Sequence, residues 1–366
     1  MDISYLTLEQ LRGRLTALPF RLPIVVVSES GAARWGFFSS LARLHGEGRI
    51  VWFARPDPNP TQETLFRALC ALRGPAADGI VAIGGGSAID LAKAVGAFYS
   101  MPGIDSSLSL SRAIAGKAYL GNSRNALPVI AVPTTAGTGS EVTQWATIWD
   151  ADDNAKHSVD APWLKPAQAW AVPELLASLP PKVMLAAGLD AVSQAAEAYW
   201  AKAGNPLSKS LSVRALQLMT SSLKPGLDDP GDAGVLNDLC TGSLLAGLAF
   251  SITRTTACHS ISYPLTYMFG MEHGFAAAVT LAQVAEVNAR ECDISDVLQV
   301  FSPYGGMQKW LDSACEGIVA LRLSSFGIDR HDIDGIAANS FSAGRMDNNP
   351  VDLSVDMVKD VLCSVL

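Results

Sequence analysis

Four side chains in the second half of this chain have the types and spacing to hold a divalent metal ion. Asp190 and Gln194 stand four residues apart in GLDAVSQAAEAY, which stacks both on one face of a helix. His259 and His273 follow, fourteen residues apart; His259 closes the apolar stretch GSLLAGLAFSITRTTACH, and His273 opens His273-Gly274 before FAAAVTLAQV. Imidazole and carboxylate together suit Fe(II), Zn(II) or a similar first-row ion. Gln194 is the odd member, because a neutral amide oxygen is a weaker ligand than imidazole.

A second set of residues has the chemistry of phosphate binding. Gly84-Gly85-Gly86-Ser87 lies between a strand pattern and the helical pattern AIDLAKAVG. Consecutive glycines allow a ligand to approach the backbone closely, and the free N–H groups of a helix start favour an anion such as a diphosphate. A tight strand-to-helix turn without a ligand would use the same residues. Thr134-Thr135-Ala136-Gly137-Thr138-Gly139-Ser140-Glu141 follows another strand and offers hydroxyls to a ribose, a phosphate or a nicotinamide edge, or simply to solvent. Glu29, after LPIVVVSES, could accept from a ribose diol and repel a 2′-phosphate, or stand in a surface turn.

These residues need elements to position them. The strand patterns 22–30, 49–55, 79–84 and 127–133 alternate with helical ones, which predicts a layered α/β domain over residues 1–178. From about Ser178 the periodicity is helical with few strand signals, which predicts an all-α domain over 179–366. Residues 100–126 and 224–234 read as loops. At 366 residues, 49% of them apolar, the chain has room for two cores. A net charge of −8 without a Lys/Arg run disfavours nucleic acid as a partner. The six cysteines are scattered with no C-x-x-C pair, and the N-terminus MDISYLTLEQLRGRL has no signal-peptide core. No uninterrupted apolar run approaches the roughly 20 residues of a membrane span. These features predict a cytoplasmic enzyme with no membrane partner.

Taken in order, PNPTQET (58–64), GGGSAIDLAKAVG (84–96), PTTAGTGSEVT (133–143), GLDAVSQAAEAY (188–199), the His259–His273 pair and DNNPVDLS (347–354) resemble the iron-containing (group III) alcohol dehydrogenases. Their fold is shared with glycerol dehydrogenase and dehydroquinate synthase. The resemblance implies a dinucleotide-binding α/β domain, a helical metal-binding domain and an active site in the cleft between them. It assigns Gly85, Gly86 and Ser87 to the cofactor diphosphate. Thr134, Thr135, Thr138 and Ser140 go to the nicotinamide side, with Lys156 nearby on a later strand. It also places Glu29 at the adenosine ribose, which favours NADH over NADPH. Asp190, Gln194, His259 and His273 match the four metal positions, and homodimers or larger homo-oligomers are implied.

Two positions depart from the family pattern. Histidine is usual where Gln194 stands, and often four residues after His259, where this chain has Tyr263. Arg254-Thr255-Thr256, read as about one helical turn before His259, offers a guanidinium and hydroxyls suited to a tetrahedral phosphate-like group. A helix cap or a pairing with a buried acid would also account for Arg254. With DAVSQ and HSISYPLT, this points to the phosphonoacetaldehyde reductase branch, which belongs to phosphonate biosynthesis and works on a small anionic aldehyde. Under that reading Arg254 binds the substrate anion and Tyr263 donates a proton or a hydrogen bond. A general alcohol, diol or lactaldehyde-type dehydrogenase, or a non-redox lyase on the same fold, is the alternative.

Overall fold

The computed structural model describes residues 1–57, 59–150 and 155–366, excluding the side chains of Asp150, Ala155 and Lys156. Among these residues the strands are β1 (Asp2–Tyr5), β2 (Pro23–Val26), β3 (Val51–Phe53), β4 (Gly79–Gly84), β5 (Val129–Pro133), β6 (Trp145–Asp150), β7 (Ala155–Asp160) and β8 (Gln168–Ala171). β6 and β7 pair as an antiparallel hairpin, and the other six form a parallel sheet in the order β1-β8-β5-β4-β2-β3. Helices α1 (Leu8–Thr16), α2 (Glu29–Arg34), α3 (Phe38–Gly46), α4 (Gln62–Leu72), α5 (Gly86–Phe98) and α6 (Ser107–Ala115) accompany these strands.

The central strands are apolar on both sides because both sides are covered. Ile24, Val26, Ile80, Ala82, Val129 and Ala131 face one core, with Leu65, Leu69, Ile89 and Ile114 from the helices. Their neighbours Val25, Val27, Val81, Ile83, Ile130 and Val132 face a second core, built with Leu11, Leu15, Leu41 and Leu44. The chain runs outward from β2 to β3, returns past β2 to β4, and then steps away to β5 and β8. The order therefore reverses between β2 and β4, the place where open α/β sheets bind ligands at their carboxyl ends.

The second half is helical: α7 (Pro181–Trp200), α8 (Pro206–Asp228), α9 (Ala233–Thr253), α10 (Ala257–Phe269) and α11 (His273–Ala278), with shorter helices up to Ser364. On length and composition α9 could span a bilayer, yet it packs against α7 and α8 as a core helix. The chain divides into two compact units. One is Met1–Thr135 with Ser140–Ser178; the other is Leu179–Leu366 with the tetrapeptide Ala136–Gly139.

Some sequence expectations need correction. Residues 100–126 contain α6 and a 3-10 turn at Ala118–Asn122 rather than only loop. Ser106 and Ser109 form a reciprocal capping box, and Leu110, Ala113 and Ile114 are buried, so the serines start the helix instead of breaking it. Residues 224–228 belong to α8 despite Pro225, because buried Leu223 and Gly226 pack the last turn on both sides of the proline. β1 has no counterpart among the strands read from sequence, since it is four edge residues with no buried position. Arg254 to Thr256 do not form a helical turn before His259; they are a break between α9 and α10.

Candidate metal centre and cofactor site

α7 carries Asp190, Gln194 and, one turn further, Glu197 on one face, and all three are buried. His259 is the third residue of α10 and His273 the first of α11. His259 Nε2 lies 3.2 Å from Asp190 Oδ1, and His273 Nε2 lies 3.9 Å from the same oxygen. Ligand atoms of Asp190, His259 and His273 all fall within 4.8 Å of one another, a separation one shared ion can bridge. Gln194 Oε1 is a buried acceptor with no hydrogen-bond partner among the described residues. A buried lone pair of that kind costs free energy unless something binds it, and a cation satisfies it. The donor set therefore fits a divalent metal. His273 keeps 34% of its side chain exposed, which leaves one side of the centre open.

Glu197 was not among the residues read from sequence. Its Oε1 accepts from Thr256 N at 3.1 Å, Thr256 Oγ1 at 2.9 Å and His259 N at 3.3 Å. Its Oε2 meets His259 Nδ1 in a short hydrogen bond. This carboxylate caps the first turn of α10 and fixes the imidazole so that Nε2 faces Asp190. Burial alone would lower the His259 pKa; the carboxylates of Glu197 and Asp190 more than reverse that and hold it at about 10. Nε2 gives up its proton when it serves as a ligand. A charged residue amid the alanines of QAAEAYW was the signal available in the sequence.

Tyr263 stacks on His273 with ring centroids 6.4 Å apart and planes 11° from parallel, so the structure does bring it to the metal side chains. Arg254 ends α9 at φ 64°, ψ 179°, a backbone region reserved for glycine and costing roughly 1–3 kcal/mol for other residues. The Thr256 hydroxyl, expected beside its guanidinium, instead donates to Glu197 and accepts from Trp200 Nε1 at 2.9 Å.

In the α/β unit, Gly85 is the N-cap of α5 and Gly86 its first residue. A Cβ on Gly85 would stand 3.4 Å from Thr135 Cγ2, so the glycine turn and Thr135 border one space. Ser87 Oγ accepts from Asn59 N at 3.0 Å, which leaves its hydrogen to donate. Thr134 is buried, and its N–H donates to Gly84 O at 3.0 Å. Thr138 lies within the tetrapeptide assigned to the helical unit. Glu29 is exposed at the first residue of α2, beside the point where the strand order reverses. Lys156 lies on β7, but its side chain is outside the described residues.

Ser140, assigned by resemblance to the nicotinamide side, has its hydroxyl turned into the core. It accepts from Lys93 Nζ at 3.0 Å and donates to Asp90. Lys93 is fully buried and also donates to Thr143 Oγ1 and Trp145 O at 3.2 and 2.9 Å. Burial pushes the Lys93 pKa down to about 8, against the opposing pull of Asp90 and Glu141. The unfolded chain then holds more protons between about pH 8 and 10.5, so the Lys93 contribution to stability rises with pH across that window. Thermal melts of the wild type and Lys93→Met from pH 7 to 10.5 should show that rise, at most about 3 kcal/mol, in the wild type alone. Parallel pH profiles in the two proteins would remove Lys93 as its source.

Two family models cover most of the chain: "Iron-containing alcohol dehydrogenase" over residues 6–172, and "Fe-containing alcohol dehydrogenase family, C-terminal" over 184–366. Phosphonoacetaldehyde reductase of Streptomyces viridochromogenes is 39% identical over 239 residues, 65% of this chain and 60% of that protein's length. Lactaldehyde reductase of Escherichia coli is 26% identical over 92% of this chain and 90% of that protein. Sulfoacetaldehyde reductase from Bifidobacterium kashiwanohense, solved in complex with NAD+, superposes with a TM-score of 0.83 at 26% identity, covering 100% of this chain and 96% of that one. The matched models run through both units and both sets of candidate residues, and the chain belongs to the iron-containing alcohol dehydrogenases, oxidoreductases that work with a nicotinamide cofactor and a metal.

Proposed function

We propose that this protein reduces a small aldehyde bearing an anionic, phosphonate-like end, with phosphonoacetaldehyde giving 2-hydroxyethylphosphonate as the favoured case. The observation that carries the redox reading is the Asp190–His259–His273 cluster, buried at Asp190 and His259 and open at His273, with the unsatisfied Gln194 oxygen on the same helix face as Asp190. Arg254, and the similarity to a phosphonoacetaldehyde reductase, support the anionic end. The similarity to lactaldehyde reductase supports a second reading, a dehydrogenase for neutral alcohols or lactaldehyde.

In this reading Asp190, Gln194, His259 and His273 hold the metal, and the backbone N–H groups from Gly85 to Ser87 hold the cofactor diphosphate. Thr134, Thr135 and Thr138 line the nicotinamide side, with Lys156 nearby, and Glu29 takes the ribose diol of NADH. When bound, the nicotinamide supplies hydride and the ion supplies Lewis acidity for the developing alkoxide. Arg254 orients the substrate through its anionic end. Tyr263, a weak acid with a reference pKa near 10, hydrogen-bonds the reacting oxygen while the proton comes from water. The protein acts in the cytoplasm as a homodimer or larger homo-oligomer.

The test is NADH oxidation at 340 nm with phosphonoacetaldehyde against a panel of neutral aldehydes, with a chelator and then with Fe(II) or Zn(II) restored. Turnover should favour phosphonoacetaldehyde and should vanish on chelation. Arg254→Ala should raise KM for phosphonoacetaldehyde by one to two decades, the worth of a charge-assisted hydrogen bond, and leave neutral aldehydes nearly unchanged. Equal shifts for both classes would favour the neutral-alcohol reading.

A further inference from the structure

One helical turn past the glycine turn, α5 carries a charge pair that the proposed chemistry leaves unused. Asp90 stands four residues beyond Gly86, roughly 6 Å along the helix axis from the N–H groups offered to the cofactor diphosphate. Its side chain is 14% exposed. Oδ2 accepts from Thr147 N on β6 at 2.8 Å, and Oδ1 accepts a short hydrogen bond from the Ser140 hydroxyl, so the carboxylate is fixed in place. A negative charge there suits the positive end of the helix dipole but repels a diphosphate bound at the same end.

Lys93 offsets that charge. Its Nζ lies 3.8 Å from Asp90 Oδ1, and its three hydrogens go to Ser140 Oγ, Thr143 Oγ1 and Trp145 O. With every donor used and the side chain fully buried, the ammonium is held beside the carboxylate. Among the described residues the charged groups that face it are Asp90 on α5, Glu141 in the 3-10 turn Ser140–Val142, and Lys165 just past the turn Pro162–Leu164. Burial pushes Glu141 towards its neutral form. A buried ion pair is weak evidence for stability, because apolar replacements are often as stable; its charge is what a nearby anion senses. We propose that Lys93 is a positioning residue for the nicotinamide cofactor that acts through Asp90, neutralising the carboxylate held near the glycine turn so that the start of α5 accepts a diphosphate. This inference rests on the assignment of Gly85 to Ser87 to the diphosphate made above.

The experiment measures NADH binding by calorimetry on the full-length, metal-loaded protein as wild type, Lys93→Met, Asp90→Asn, the double variant and Ser87→Asp. At pH 7 Lys93→Met should raise the NADH Kd at least about tenfold, the scale of one charge uncovered near a bound diphosphate. Adding Asp90→Asn should bring Kd back to within about threefold of wild type, a coupling that a double-mutant cycle reads directly. Asp90→Asn alone should bind NADH at least as tightly as the wild type. Burial brings the Lys93 pKa down to about 8, so the wild-type Kd should climb with pH above that value towards the Lys93→Met value, which should stay flat. By linkage, NADH binding at about pH 8.5 should take up part of a proton in the wild type alone, read from binding enthalpies in two buffers. If Lys93→Met folds poorly, the Asp90→Asn affinity and the wild-type pH profile carry the test.

A double variant that binds NADH no better than Lys93→Met would overturn the inference, because the pair would then serve the fold rather than the charge balance. Weaker binding in Asp90→Asn, or a wild-type Kd independent of pH, would also overturn it. If Ser87→Asp raises Kd at least about tenfold while Lys93→Met does not, the Lys93 role falls and the diphosphate assignment stands. If Ser87→Asp leaves NADH affinity unchanged, both fall together.

Discussion

Gly274→Ala should leave almost no folded protein. A Cβ at this position would stand 1.8 Å from the Ala186 carbonyl oxygen and 2.6 Å from its carbon, both backbone atoms of α7 that cannot turn aside. The start of α11 would have to retreat from α7, and with it His273, the residue immediately before. The expected cost exceeds about 4 kcal/mol, a range reserved for mutations that break close packing, and it consumes much of a typical domain's roughly 5–15 kcal/mol. Gly335→Ala is the matched control: a helical glycine whose added Cβ would meet only Met268 Cε at 4.0 Å. It should be neutral or slightly stabilising. Soluble yield and denaturant midpoint report both, and a Gly274→Ala variant with a wild-type midpoint would refute the close approach.

Glu197→Gln should weaken metal binding by about 10- to 100-fold with little loss of fold. The amide oxygen can still accept from Thr256 and His259 backbone groups, so the cap on α10 survives. Where the carboxylate accepted a hydrogen bond from His259 Nδ1, however, the amide now presents an N–H donor. Nδ1 must then be the acceptor, and the imidazole proton moves to Nε2, the nitrogen that faces Asp190. A ligand nitrogen carrying a proton cannot coordinate. Chelator competition should show the weaker affinity, and excess metal should restore part of the turnover. Glu197→Leu should behave differently: four donors lose their buried acceptor, and stability should drop by several kcal/mol. Unchanged metal affinity in Glu197→Gln would show that the carboxylate does not set the tautomer.

The parts of the fold and site that were legible in the sequence were those encoded by neighbours in the chain. The Gly84–Ser87 turn follows the short apolar strand Ile80–Ile83 and precedes a helix, and the structure puts Gly85 at the cap of α5. The i,i+4 spacing of Asp190 and Gln194 was enough to place both on one helix face, as α7 has them. What stayed hidden depended on partners distant in sequence. Asn348 Nδ2 donates to the carbonyls of Thr253 and Thr255 through space, and no glycine or proline marks the break at Thr253–Thr256. Ser140 carries a hydroxyl suited to a cofactor loop, and only the buried Lys93 and Asp90 beneath it show why the hydroxyl turns inward. The serines of 106–112 looked like loop because side chains that compete with the backbone in mid-helix are the same ones that start a helix.

The tetrapeptide Ala136–Gly139 has a consequence for how the protein can be made and divided. It lies inside the sequence of the α/β unit but belongs to the helical one, where a Cβ on Gly137 would stand 2.7 Å from Ala187 O and one on Gly139 would stand 2.6 Å from Gly247 Cα. A gene fragment beginning at Leu179 would encode helices α7 and α9 without the four residues that lie against them. On the ribosome those residues emerge more than 40 positions ahead of Ala187 and must wait for their surface to be synthesised. A helical unit made on its own from Leu179 would therefore lack the close approaches of Gly137 to Ala187 and of Gly139 to Gly247.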